Sequence, residues 1–201
     1  GASNGATIAV STTPSSNWTN ITGQTTGNSV TISNGAFTMN SMTVKAGALA
    51  VTISGTPVAQ NIIAGVQTFT FANVQLDASQ SGEDVRINSI ALTENGSVNA
   101  TAGAYDLLST CQLYDGATAL NGGSNVVNPT ASATSTAKAS TYTLDNSLTI
   151  AKGTVKKLAV KCNVATTAAA GDTFQCGIAT AQITALSVTG VTSGSTITAT
   201  G

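Results

Sequence analysis

The chain contains no histidine, and only 7% of its 201 residues are charged. Without histidine no Ser–His or Cys–His pair can form, so the usual activated nucleophiles of hydrolytic enzymes are missing. With few carboxylates and no nucleophile elbow as well, an enzyme is not expected. Seven basic residues against eight acidic ones leave a net charge of −1 and no basic patch to neutralise phosphates, so neither nucleic acid nor an anionic membrane surface is an expected partner. No apolar run approaches the roughly 18 to 20 residues that would span a bilayer, so membrane insertion is not expected. Aromatic residues make up 4% of the chain, which leaves Trp18, Tyr105, Tyr114 and Tyr142 as the main candidates for a sugar-stacking platform, though the plainer reading of each is packing. Helix signals are also scarce: the alanine run Ala168-Ala169-Ala170 is too short to nucleate a helix.

What the chain does have is alternation. Stretches such as Val30-Thr31-Ile32-Ser33 and Ala50-Val51-Thr52-Ile53-Ser54 place an apolar residue at every second position, as a half-buried strand requires because successive side chains point to opposite faces. A hydrophobic fraction of 41% and a mean hydropathy of +0.21 supply a core, with Ser, Thr, Asn and Gly replacing the usual charged surface. The chain opens at Gly1-Ala2-Ser3 without an initiator Met, as expected of a mature exported product.

Two sections are expected: a strand-rich N-terminal extension over 1–55 and a β-sandwich over 56–201. The first has short strand signals at 6–10, 28–33, 36–44 and 48–53, but Trp18, Phe37, Met39 and Met42 are nearly all it has for a core. In the second, Phe69 and Phe71 share one strand parity and Val74 and Leu76 the other, which predicts a β-bulge near Ala72. A second switch, from Val85 and Ile87 to Ile90 and Leu92, falls at Asn88. Strands are further expected at 107–114, 141–150, 155–164, 173–183 and 186–197, with a loop over 126–140. About seven short strands separated by turn signals form the pattern of an immunoglobulin-like sandwich.

Three cysteines leave one outside any single intrachain bond. Cys162 shares its parity with Leu158, Val160 and Val164, and Cys176 shares its parity with Phe174 and Ile178, so both face inward. They flank 166–172, read as a hairpin loop, and a cross-strand Cys162–Cys176 bond is the first expectation. Closing that loop of about 15 residues is worth about 3 kcal/mol in the chain-entropy model. Cys111 also points inward and competes for Cys162.

The run Phe69-Thr70-Phe71-Ala72-Asn73-Val74-Gln75-Leu76-Asp77, followed by Gly82-Glu83-Asp84-Val85-Arg86-Ile87-Asn88, resembles the Ig-like modules of bacterial cell-surface and surface-layer proteins. The resemblance extends to Cys111-Gln112-Leu113-Tyr114-Asp115-Gly116, 148–154 and 158–164, covering about 47–182. It implies an Ig-like fold and a structural role, but no single chemistry. In the proteins it resembles, such modules occur in tandem; this chain has one, preceded by the extension.

Candidate sites are few. Asp77, Glu83 and Asp84, with Ser79 and Ser81, gather oxygen ligands that could hold Ca²⁺, the one cofactor considered; the plainer reading is a solvated turn. Asn17, Asn20, Asn95 and Asn99 begin N-x-Ser/Thr sequons in two expected loops, so glycans are possible adducts or partners. The expected role is an extracellular structural subunit of a filament or surface layer, whose partners are copies of itself joined by strand addition. Ala6, Thr7, Ile8, Ala9 and Val10 are the candidate donor strand, with 30–44 as another. The rival is an adhesin or carbohydrate-binding sandwich, calcium-dependent or not.

Overall fold

A computed structural model describes residues 3–98, 101–102, 104–130 and 137–201. The chain is all-β apart from short helical turns, and it divides into two compact units, Gly1–Ala46 and Gly47–Gly201. The boundary therefore falls earlier than the expected 55/56. The strand Ala50–Ile53 pairs throughout with Val74–Asp77, so hydrogen bonding assigns it to the larger unit.

The first unit holds β1 (Thr7–Ile8), β2 (Ser11–Thr12), one helical turn α1 (Pro14–Asn17), β3 (Phe37–Thr38) and β4 (Met42–Thr43). β1 pairs antiparallel with β4 and β2 with β3, making two separate two-stranded ladders. The expected strand at 28–33 is reduced to a single bridge between Thr22 and Ser29. Among the described residues of this unit only Pro14 is buried, while Ile8, Val10, Val30, Phe37, Met39 and Met42 are all exposed. Two-stranded ladders without an apolar face to bury are marginal in water.

The second unit contains β5 (Ala50–Ile53), β6 (Phe69–Asp77), β7 (Val85–Val98), β8 (Thr101–Ala102), β9 (Leu108–Asp115), β10 (Thr118–Ala119), β11 (Ala137–Ile150), β12 (Val155–Val164), β13 (Thr173–Gly177), α2 (Thr180–Thr184), β14 (Val188–Gly190) and β15 (Thr196–Ile197). One sheet runs β10-β9-β12-β6-β5 and the other β11-β7-β14-β15, with β8 and β13 also paired to β7. All these pairings are antiparallel. Val74, Leu76, Leu113, Leu158 and Val160 of the first sheet and Val85, Ile87, Ile90, Leu92 and Ile150 of the second belong to one buried cluster.

Both expected parity switches are present. The β12–β6 register slips between Val160 and Lys161, leaving Phe71 as the extra residue, and beyond it Ala72, Val74 and Leu76 all point inward and are buried. The β11–β7 register slips opposite Asn88, between Thr143 and Leu148, and Ile90 and Leu92 take over the inward face from Val85 and Ile87. Two other expectations are corrected. The expected strand 173–183 stops at Gly177 and gives way to α2, whose Gln182 Oε1 accepts the Ala179 N–H at 2.7 Å and closes the first turn. The expected loop 126–140 contributes its end to β11, Ala137 pairing with Asn95, and Val127 bridges Cys111; residues 131–136 lie outside the described set.

The disulfide joins Cys111 to Cys162, with Cα atoms 4.1 Å apart, and Cys176 is free. The first-choice Cys162–Cys176 pairing is thus corrected in favour of the alternative. The reason is topological: 166–172 is no hairpin but a passage from one sheet to the other, because β12 lies between β6 and β9 whereas β13 pairs with β7. Cys111 and Cys162 meet where the β12–β9 register slips between Lys161 and Asn163, and the extra residue, Thr110, sits at φ 50°. A β-branched residue disfavours that region, and the Asn128 side chain holds it there by accepting the Thr110 N–H at 2.8 Å.

The bond spans 51 residues of sequence. Replacing both Cys111 and Cys162 by alanine is therefore expected to cost about 2–5 kcal/mol in urea unfolding, while Cys176→Ala stays within about 1.5 kcal/mol of the parent. Equal losses from the two changes would contradict the pairing.

Candidate functional site

Inward residues are fully covered along most of both sheets, but not at one place. Phe69 and Phe71 of β6, Ile53 of β5, and Phe174 and Cys176 of β13 carry core-type side chains that remain half-buried. They line a cleft of about 730 Å³ together with the segments 57–62 and 169–172. Phe69 and Phe71 meet edge to face at 5.1 Å, and Phe71 and Phe174 do so across the cleft at 6.5 Å. Three of the four phenylalanines in the chain are thus gathered at this site. The Phe71 bulge contributes directly, since the inserted residue departs from the parity of the buried run that follows it.

Behind Cys176 lies a buried polar cluster. Glu94 follows Ile90 and Leu92 on the inward face of β7 and is fully buried; it pairs with Cys176 on one flank and Lys138 on the other. Its Oε1 accepts the Tyr142 hydroxyl at 2.9 Å, while Oε2 has no hydrogen-bond partner among the described residues. Burial holds the Glu94 carboxyl above its usual range, outweighing the opposite pull of the Ser140 and Tyr142 hydroxyls, its own backbone and Lys138. The Tyr142 phenol is raised by burial first, then by the Glu94 and Cys176 charges. The Cys176 thiol, pushed up to about 12 by burial and then by Glu94, remains protonated at neutral pH and is a poor nucleophile. The alternation Ile90, Leu92, Glu94 is the sequence signal for this buried acid, one step beyond the Ile90 and Leu92 pair that marks the second parity switch.

The three calcium candidates each hold a different piece of backbone. Asp77 Oδ1 accepts Ser79 N at 2.7 Å, and Asp84 Oδ1 accepts Lys152 N at 2.9 Å. Glu83 clamps the 192–193 turn: Oε2 accepts Thr192 N and Ser193 N, each at 2.8 Å, and Oε1 accepts the Ser193 hydroxyl at 2.7 Å. Gly190 leaves room for this clamp, because a Cβ there would run into the Glu83 carboxylate. Hydrogen bonding from Ser193 lowers the Glu83 pKa, and hydrogen bonding from Ser79 lowers that of Asp77. No cluster of three or more potential metal ligands occurs among the described residues.

The sequon asparagines are dispersed. Asn17 ends α1 and accepts Thr13 N at 2.8 Å, and Asn20 is exposed at φ 60°. Asn95 is not in the expected loop but in β7, paired with Ala137 on one side and Gln175 on the other, with Oδ1 buried and without a hydrogen-bond partner among the described residues. Asn99 lies outside the described residues, as does the side chain of Tyr105. The donor candidates Ala6–Val10 sit on β1 and its flanks: Thr7 opposes Thr43, Ile8 opposes Met42, and Val10 O accepts Met39 N at 2.9 Å. Trp18 donates its indole N–H to the Thr12 hydroxyl at 3.2 Å and remains 55% exposed, whereas Tyr114 lies 4.3 Å beneath the Lys161 ammonium, which covers one face of its ring.

No protein-family model, curated protein or solved structure matches this chain. Among the described residues no helix is long and apolar enough to cross a membrane.

Glu94 makes stability pH-dependent. In the unfolded chain this carboxyl ionises near pH 4.3, whereas the folded value is higher, so its contribution is complete below about pH 4.3 and is lost as pH rises through the folded value. Glu94→Gln is therefore expected to gain stability relative to the parent as pH rises from about 4.3 through the folded value in urea titrations. A difference that does not change with pH would show that the carboxyl is not perturbed.

Proposed function

We propose that the chain is an extracellular structural subunit of a cell-surface filament or surface layer, assembled by β-strand addition between copies, with an Ig-like sandwich as its body. The observation that carries this reading is the contrast between the units. The smaller one has strands and no core: Ile8 is 53% exposed, Val10 62% and Met42 68%. The larger one has a core with an uncovered cleft. Exposed alternating apolar residues on an unpaired ladder edge are what strand addition uses, main-chain bonds giving affinity and alternate side chains giving register. The scarcity of charge supports the same role, since little desolvation of ions opposes close contact between copies.

A carbohydrate-binding role is the second reading, favoured by one observation: aromatic rings and amide side chains, Gln60, Asn61 and Gln175, converge on the same cleft.

Electron microscopy of the intact chain beside a chain lacking residues 1–12 tests the first reading. Polymers from the intact chain and none from the truncated one are expected. Monomers of the intact chain at high concentration, with binding to a glycan array, would favour the second reading.

A further inference from the structure

We infer that the cleft beside β13 is the acceptor for the β1–β4 ladder of a second copy, which adds to the free edge of β13 and turns Ile8, Val10 and Met42 inward against Phe71 and Phe174. This inference rests on the assembly reading and gives it an address.

The first support is a gap in the second sheet. β7 carries β14 and β13 in succession, and β14 is covered in turn by β15. β13 has no such cover: among the described residues the backbone of Thr173–Gly177 finds partners only on β7. The gap lies where the core is uncovered. Phe174 and Cys176 on the inward face of β13 remain half-buried, whereas Leu92 on β7 and Val188 on β14 are fully buried. One strand placed beside β13 would satisfy the edge and close the cleft together.

The second support is the fit of the donor. β13 is five residues long, a span of about 17 Å, and the segment Ala6–Val10 has the same length. Within the described residues β1 pairs only with β4, so its other edge is available. Ile8 and Met42 oppose each other in that ladder and project from the same face, and Val10 shares the parity of Ile8. The two-stranded ribbon thus presents a row of exposed aliphatic side chains to a cleft walled by aromatic rings.

Charge selects this occupant over others. The first 44 residues contain no charged side chain, and the cleft lining has a single one, Asp172, which already accepts Ala169 N at 2.7 Å. A neutral ribbon adds no ion of its own to the closed joint, while an ordinary charged peptide would bring several.

Cys176 provides the readout without any mutation. Cys176 lines the cleft, so at alkaline pH iodoacetamide is expected to alkylate its thiol in the monomer, and in assembled material labelling is expected to slow by about tenfold or more. Ile8→Asp and Phe174→Asp should each abolish polymers, with the far-UV spectrum of the monomer retained; if Phe174→Asp does not fold, the labelling rates decide alone. Polymers in which Cys176 labels at the monomer rate would overturn this acceptor and leave strand addition through another edge standing. Failure of the intact chain to polymerise would overturn both. Protection of Cys176 in monomers by added oligosaccharide, without polymers, would make the cleft a ligand site instead.

Discussion

Apolar burial between the two sheets requires each strand to keep its hydrophobic side chains on the inner face, and the long strands do so only by slipping register. In β6 the extra residue is Phe71, in β9 it is Thr110, and β11 slips opposite Asn88. Every slip exchanges the two faces of the strand beyond it. Remove the slip at Phe71 and either the Val74 and Leu76 side chains or the Phe69 pairing with Cys162 would be on the wrong side. The same slips locate the special features. Phe71 opens the cleft, and Thr110 sets Cys111 against Cys162. Asn side chains support two strained threonines bordering β12: Asn128 accepts Thr110 N at 2.8 Å and Asn163 accepts Thr68 N at 2.7 Å.

The polar residues inside this frame divide by what they can do about burial. Glu83 stays at the surface and places its charge where three donors meet it, which makes it a clasp on the β14–β15 turn. Asn121, fully buried, uses Oδ1 to accept Leu113 N at 2.7 Å and Nδ2 to donate to Asn125 O at 2.9 Å. Glu94 is the exception, with one oxygen met and the other unmet among the described residues. Burial disfavours the charged form of a carboxyl in that position, which is why its pKa lies above the usual range.

Much of this was legible from residue parity. The alternation in 69–76 and 85–92 marked both sheets and two of the slips, and it placed all three cysteines inward. Parity reports which face a side chain takes but not which strand lies beside it, and the disulfide turned on that second question. Cys162 and Cys176 satisfy the same parity rule from different sheets. The cleft was hidden for the same reason: Phe69, Phe71 and Phe174 read as ordinary core, and only the pairing order shows that no described strand covers them. The N-terminal section was read correctly as poor in core, because a count of large apolar residues needs no topology. α2 escaped notice because one turn closed by Gln182 has no periodicity to detect.

The two ends of the larger unit meet side by side. Ala50 and Thr200 form a parallel bridge, in which Val51 N donates to Thr200 O at 2.7 Å and Thr200 N to Leu49 O at 3.0 Å. Because the two segments run in the same direction, tension applied backward through residue 49 and forward through residue 200 slides one past the other along their length. Both hydrogen bonds are then loaded in shear and must give way together, whereas an antiparallel end would peel open one bond at a time. A body loaded through these two points would carry the force across this clasp and, because Ala50 begins β5, into the β5–β6 pairing beside it.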